Sequence, residues 1–383
     1  MADFKEKVLD LHEKYQGKIE ITSKLQINSK EDLALVYSPG VAEASLAIKE
    51  NKEDVYKYTS KGKFVAIVTD GSAVLGLGDI GPEAALPVME GKALLFKKFA
   101  GVDAFPICLR TKDVDEIVNT VKLIAPGFGG VNLEDISFPR CVEIEERLKK
   151  ELDIPVFHDD QHGTAIVTLA ALINACKVVG KKLENLKVVI SGFGAAGSAI
   201  ARLLRKANVP SIYATNRKGA LSKLKENYPM VDRFLERGIV DSYNKKDGKL
   251  EDIIKDADVF IGVSVADVLT KEMVNMMADK PIVFALANPN PEISSIEVKK
   301  TKAYIYATGR SDLPNQINNV LAFPGLFKGV FACKAKQITE EMLLDASHAI
   351  ASLITKEELS KDYIIPSPFD ERVALVVSKA VSK

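Results

Sequence analysis

The stretch Lys187–Thr215 reads KVVISGFGAAGSAIARLLRKANVPSIYAT. A β-branched run, a glycine-rich turn, a helix-forming run and a second β-branched run follow one another over about thirty residues, the length of one βαβ unit. Gly192, Gly194 and Gly197 stand in the turn at G-x-G-x-x-G spacing, after a strand and at the opening of a helix. In that setting the first glycine permits the turn and the second lets backbone amides approach a pyrophosphate. The third lets helix and strand pack closely, while the helix start at Ala195 and Ala196 offers unpaired N–H groups and a positive dipole to the anion. The stretch predicts a Rossmann-type unit that binds a dinucleotide.

Working outward, further strand candidates at Val259–Val263, Ile282–Ala287 and Ala303–Ala307 alternate with helical segments, as a doubly wound parallel sheet requires. About twenty residues past the glycines, where an NAD site usually carries an acid for the ribose hydroxyls, stands Asn216, followed by Arg217 and Lys218. An amide bonds a ribose hydroxyl without repelling a 2′-phosphate, and the adjacent cations attract one, so both NAD and NADP remain open.

Towards the N-terminus, Lys63–Thr69 and Val102–Leu109 are continuous apolar runs of the kind found in buried parallel strands, and Ile154–Phe157 is a shorter one. Gly76, Gly78 and Gly81 form a tight loop ahead of a helical run that carries Lys92. A helix over roughly Pro139–Leu152 sets Cys141, Ile144, Leu148 and Leu152 on one face. Its charged residues, Glu145 among them, read as a solvated face. The expected architecture is α/β in two domains: an N-terminal α/β substrate and metal domain over 1–155, and a Rossmann-like NAD(P)-binding domain over 156–383 with C-terminal helices.

Lys plus Arg and Asp plus Glu number 52 each in 383 residues, so no overall field attracts nucleic acid or an anionic membrane. The N-terminus places Phe4, Val8, Leu11 and Tyr15 at helical spacing without the apolar core of a signal peptide, and the expected location is cytoplasmic. The apolar run Thr164–Val179 is shorter than the roughly 20 residues a bilayer needs and predicts a buried helix. Four cysteines without C-x-x-C spacing fit reduced thiols.

Two acid pairs, Glu134-Asp135 in VNLEDI and Asp159-Asp160 in VFHDDQHGTA, adjoin apolar or glycine-rich sequence, where an unpaired carboxylate is costly. Converging carboxylate oxygens suit Mg²⁺ or Mn²⁺ and leave positions open for a chelating substrate. His158 and His162 lack the intervening glutamate of a zinc-binding helix and read as packed residues beside the acids.

Taken together, LVYSPGVAEA, VTDGSAVLGLGDIGPEAALPVMEGKALLFK, FGGVNLEDI, IPVFHDDQHGTA, SGFGAAG, FALANPNPEI and ATGRSDLPNQINNVLAFPG resemble the malic enzyme family in its short bacterial and archaeal form. The resemblance implies oxidative decarboxylation of L-malate to pyruvate and CO₂ with reduction of NAD⁺ or NADP⁺. It makes Glu134, Asp135 and Asp160 the metal ligands, Asp159 their helper, Lys92 the general base and Tyr37 the general acid. Asn288, Asn318 and Asn319 meet the substrate and the nicotinamide ribose, and a homodimer or larger homo-oligomer is expected, with Tyr37 reaching a neighbouring subunit's site. To act as a base, Lys92 must have its pKa lowered by a divalent cation or by desolvation. Long forms carry an arginine for a substrate carboxylate where this chain has Ser72 and Ala73, and their additional terminal segments with allosteric sites are not expected here. A malolactic enzyme, which retains NAD and releases L-lactate, and a silent dinucleotide-binding sensor are the alternatives.

Overall fold

Continuous apolar runs bounded by glycine and charge give two parallel sheets, because a strand covered on both faces by helices has no solvent side to leave polar. The computed structural model describes residues 2–74 and 76–383. In the first sheet β1 (Phe64–Thr69), β2 (Asp103–Cys108), β3 (Gly130–Leu133) and β4 (Val156–His158) lie in the order β2-β1-β3-β4, all parallel. This sheet runs on to His158, three residues past the boundary expected from sequence. The second sheet has the order β10-β9-β8-β5-β6-β7, from β5 (Lys187–Ser191), β6 (Ser211–Asn216), β7 (Gly219–Ala220), β8 (Val259–Gly262), β9 (Ile282–Ala285) and β10 (Ile305–Thr308). Only β7 is antiparallel. The chain leaves β5 for β6 on one side and returns to β8 on the other. That reversal creates a crevice at the carboxyl ends of β5 and β8.

The helices begin with α1 (Ala2–Tyr15), α2 (Lys30–Val36), α3 (Val41–Glu50) and α4 (Val55–Tyr58). The N-terminal helix forms as its spacing predicts, yet Phe4, Val8, Leu11 and Tyr15 are exposed on it. No side chain of α2, α3 or α4 is buried. α5 (Pro82–Ala100), α6 (Val114–Ile124) and α7 (Arg140–Glu151) cover the first sheet. α8 (Asp159–Val179) then leads from the first sheet to the second and packs on α9 (Ala195–Lys206). It has the length and apolarity of a membrane span, longer than its sequence suggested, but 78% of that span is buried inside the protein.

Around the second sheet come α9 (Ala195–Lys206), α10 (Pro229–Glu236), α11 (Leu250–Ile254), α12 (Lys271–Met276) and α13 (Ser295–Val298). The chain ends with α14 (Phe323–Ala332), α15 (Glu340–Ser352) and α16 (Arg372–Val381). Thr339 caps α15 by accepting from the Met342 amide. These last helices fold back, so that α14 packs on α5 as well as α16. Phe96 meets Phe323 and Phe327 edge-on, with ring centres 4.7 and 5.4 Å apart, and Phe157 meets Phe327 at 6.0 Å. One apolar core therefore runs across both sheets, from Ile67 and Met89 to Ile190 and Ile261. Such aromatic pairs each contribute about 0.5–1.5 kcal/mol beyond burial, and here they brace the helix that carries Lys92.

Candidate active site

Parallel pairing of β3 with β4 aligns Leu133 with His158, so the residues that follow each strand emerge side by side. Those residues are Glu134-Asp135 and Asp159-Asp160. Pairing thereby unites acids 25 positions apart in the chain, at the carboxyl ends of strands where α/β proteins bind ligands. Oxygens of Glu134, Asp135 and Asp160 lie within 4.8 Å of one another. The Asp135 amide donates to Asp160 Oδ2 at 2.9 Å, and Asp135 itself holds a left-handed backbone, φ 53°. That conformation costs a non-glycine residue about 1–2 kcal/mol, a strain that recurs at functional sites.

Lys92 projects from the middle of α5 into this cluster and is only 6% exposed. Its Nζ donates to Glu134 Oε1 at 2.7 Å and to Asp159 Oδ2, and stands 4.2 Å from the centre of the Phe323 ring. Asn132 holds the other oxygen of Glu134 at 2.8 Å. Burial opposes the charge on Lys92, but Asp159, Glu134 and Asp160 outweigh it and hold the ammonium above its ordinary pKa. Desolvation therefore does not neutralise Lys92 as expected, because it works against three carboxylates. Burial raises Glu134 as well, against the opposing pull of Lys92, and lifts Asp159 to about 8. Carboxylates outnumber the one ammonium here, and hard oxygen donors at this spacing fit Mg²⁺ or Mn²⁺.

Glu134, Asp135, Asp160 and Lys92 line a cavity of about 1040 Å³ together with Asn318, Asn319 and Phe323, while Asp159 is fully buried and lies outside the lining. Its outer wall, which includes Leu11, Tyr15 and Ile19, was not foreseen, since an exposed amphipathic helix gives no hint of what it faces. Asn318 also caps the turn beyond it by accepting from the Val320 amide at 2.9 Å. Asn288 lies outside the cavity lining, partly buried beside Gly309 and donating weakly to Leu286 O at 3.4 Å. Tyr37 is not brought to the cavity within one chain: it ends α2 and is 69% exposed.

Glu145 departs most from expectation. Rather than facing solvent, it is 3% exposed, with the His162 ring at 2.9 Å, the Lys149 ammonium at 2.8 Å and the His158 amide at 3.2 Å. Its carboxyl lies below the usual range because His162 and Lys149 outweigh the burial that opposes ionisation. His158 and His162 are buried next to the acids, as expected, and burial keeps both imidazoles below their ordinary pKa.

A second cavity, of about 1190 Å³, opens at the crevice between β5 and β8 and is lined by Gly192, Gly194, Asn216, Arg217 and Lys218 among others. Gly192 has φ 98°, a side chain on Gly197 would collide with Gly192 O, and a side chain on Gly194 would meet open space. Each glycine thus has its own reason: a turn, a close packing and an unobstructed approach. Ala195 and Ala196 begin α9. Asn216 Oδ1 is engaged locally, accepting from the Lys218 amide at 2.8 Å. Glu292, fully buried, accepts from the Ser264 and Ala287 amides at 2.8 and 3.1 Å and so ties the ends of β8 and β9 beneath this crevice.

Comparison with known proteins matches both parts of the chain to one family. The malic enzyme N-terminal domain matches residues 16–149, and the malic enzyme NAD-binding domain matches residues 161–383. The chain belongs to the malic enzyme family. It is 59% identical to a bifunctional malic/malolactic enzyme of Bacillus subtilis, covering 99% of this chain and 92% of that one. It is 56% identical to an NAD-dependent malic enzyme of Geobacillus stearothermophilus, over 95% of this chain and 76% of the relative. The crystal structure of an NAD-dependent malic enzyme from Thermotoga maritima superposes with a TM-score of 0.91 at 47% identity, covering 98% of each chain. The second sheet is accordingly the NAD-binding domain of a malic enzyme, and the family assigns an oxidoreductase.

Proposed function

We propose that this malic enzyme family member catalyses oxidative decarboxylation of L-malate to pyruvate and CO₂, reducing NAD⁺ or NADP⁺. The observation that carries the reading is Lys92, held between Glu134 and Asp159 where Glu134 converges with Asp135 and Asp160 in the lining of a cavity. Glu134, Asp135 and Asp160 hold Mg²⁺ or Mn²⁺. A divalent cation bound there supplies Lewis-acid polarisation of the substrate oxygens and offsets the negative charge that keeps Lys92 protonated.

Neutral Lys92 then takes the C2 hydroxyl proton of malate, and Asp159 orients its amine. Tyr37 returns a proton to C3 after CO₂ has left. The exposure of Tyr37 and the uncovered helices around it support its acting from a neighbouring subunit of a homodimer or larger homo-oligomer. Asn319 and Lys92 hold the substrate, while Asn318 and Asn288 serve the nicotinamide ribose, with Asn288 also reaching the substrate once the site is occupied. Gly192, Gly194, Ala195, Ala196 and Gly197 receive the pyrophosphate. Asn216 and Arg217 receive the adenosine ribose, an arrangement open to both coenzymes. Residues 1–155 thus supply most of the metal and proton chemistry and 156–383 the coenzyme.

A second reading is kept because of the bifunctional relative: L-malate converted to L-lactate and CO₂ with retained NAD. Purified protein supplied with L-malate, Mn²⁺ and either coenzyme is expected to reduce at least one of them and release pyruvate. Lactate without net NADH would favour the second reading, and no turnover with either coenzyme would remove both.

A further inference from the structure

Strand pairing aligns Leu133 with His158 but does not determine how the two turns beyond them close on a metal. Among the elements around these turns, α7 touches both and contributes no residue to the cavity. From its first position Arg140 donates to Ser72 Oγ at 2.9 Å, Ser137 Oγ at 2.8 Å and Asp70 Oδ2 at 2.7 Å. Ser72 Oγ also accepts from the Ser137 amide at 2.9 Å, and the neighbouring Ala73 amide donates to Asp135 O at 2.9 Å. The Asp135 turn is consequently held on its far side by a loop that Arg140 cross-links.

Five positions further along, Glu145 holds the other turn. It accepts from the His158 amide, from Gln161 Nε2 at 3.3 Å and from His162 Nε2, so it grips both ends of the segment that carries Asp159 and Asp160. Five residues of helix span about 7.5 Å. One rigid helix thereby sets the separation of two otherwise independent turns.

We propose that α7 is the positioning element of the metal centre, with Arg140 fixing the Asp135 turn and Glu145 fixing the Asp160 turn, so that metal affinity depends on residues outside the cavity. The inference rests on the metal assignment proposed above. Partners of ligands set metal affinity by fixing ligand orientation, and their loss costs about 10–100-fold.

The test uses the full chain without substrate, titrated with Mn²⁺ and read as free Mn²⁺ by electron paramagnetic resonance, with NADH fluorescence as a parallel titration. Arg140→Lys keeps the charge but not the two nitrogens that reach Asp70 and the two serines separately, and Glu145→Gln keeps the shape and loses acceptor capacity. Each is expected to weaken Mn²⁺ binding about 10-fold or more while the Kd for NADH stays within twofold. If either folds poorly by circular dichroism, Ser72→Ala or Glu145→Asp takes its place with the same expectation. Mn²⁺ affinity within threefold of the parent in both arms overturns the proposal, and so does joint loss of Mn²⁺ and NADH binding in folded variants. A parent chain that binds no Mn²⁺ would instead refute the metal assignment beneath it.

Discussion

Replacing Lys92 with methionine removes one ammonium from a buried cluster and keeps most of the side-chain volume. In the parent that ammonium pairs with Glu134 at 2.7 Å and with Asp159, and all three side chains are less than a tenth exposed. Removing one partner of a buried ion pair costs about 3–5 kcal/mol, because the remaining charge is left in a poor solvent. At roughly 1.2 °C per kcal/mol for a chain of this size, the metal-free variant should melt about 4–6 °C below the parent. Manganese should reverse the loss. An ammonium and a divalent cation compete for the same Glu134 carboxylate, so the variant is expected to bind Mn²⁺ at least 10-fold more tightly, about 1.4 kcal/mol. At 100-fold over its Kd the ion would restore about 2.7 kcal/mol. Differential scanning fluorimetry with and without Mn²⁺ reads both effects, and an oxidation assay with L-malate should show no turnover at any metal concentration. A variant that melts with the parent without metal, or that binds Mn²⁺ more weakly, would show that Lys92 does not neutralise these carboxylates.

Chains carrying Tyr37→Phe and chains carrying Lys92→Ala should each be inactive, yet refolding them together should restore about a quarter of parental activity. Half of randomly mixed C₂ dimers would hold one intact site out of two; no recovery would assign Tyr37 to its own chain's site. In Gly197→Ala the added Cβ meets Gly192 O and Ile190. Overpacking of this kind should cost about 1–3 kcal/mol and weaken NADH binding while Mn²⁺ affinity is retained, and fluorescence titration beside a metal titration tests the split. Glu145 carries a depressed pKa, so its stabilising contribution is fully present above the unfolded carboxyl pKa of about 4.5 and is lost as pH falls below it. Glu145→Gln should flatten the fall of unfolding free energy with acid, and urea melts between pH 3 and pH 6 would expose an unchanged slope.

The strands most legible in the sequence are those whose local pattern and tertiary role coincide. β1, β5, β8 and β9 are continuous apolar runs because helices cover both faces, and burial along them is nearly complete. β3 escapes such a reading. Its four residues, GVNL, include a glycine and an asparagine, and Asn132 is buried because it holds Glu134. Glu145 escapes for a related reason. On α7 it stands among exposed acids and lysines, and nothing local distinguishes the one carboxylate whose donors arrive from β4 and α8. Lys92 and Tyr37 became candidates only through family resemblance, since a lysine in a helix and a tyrosine before a turn are common.

The acid pairs were visible because carboxylates beside apolar sequence are costly, and the structure gives that cost a direction. A chain with no net charge gathers Glu134, Asp135, Asp159 and Asp160 around a single ammonium, where burial lifts Asp159 to about 8. Without a cation such a cluster can lower its energy by holding extra protons, and a divalent ion displaces them. The same ion withdraws from Lys92 the negative charge that keeps it protonated. On the roles proposed above, metal binding and the arming of Lys92 as a base are one electrostatic event, and the helix proposed to set the spacing of the acids governs both.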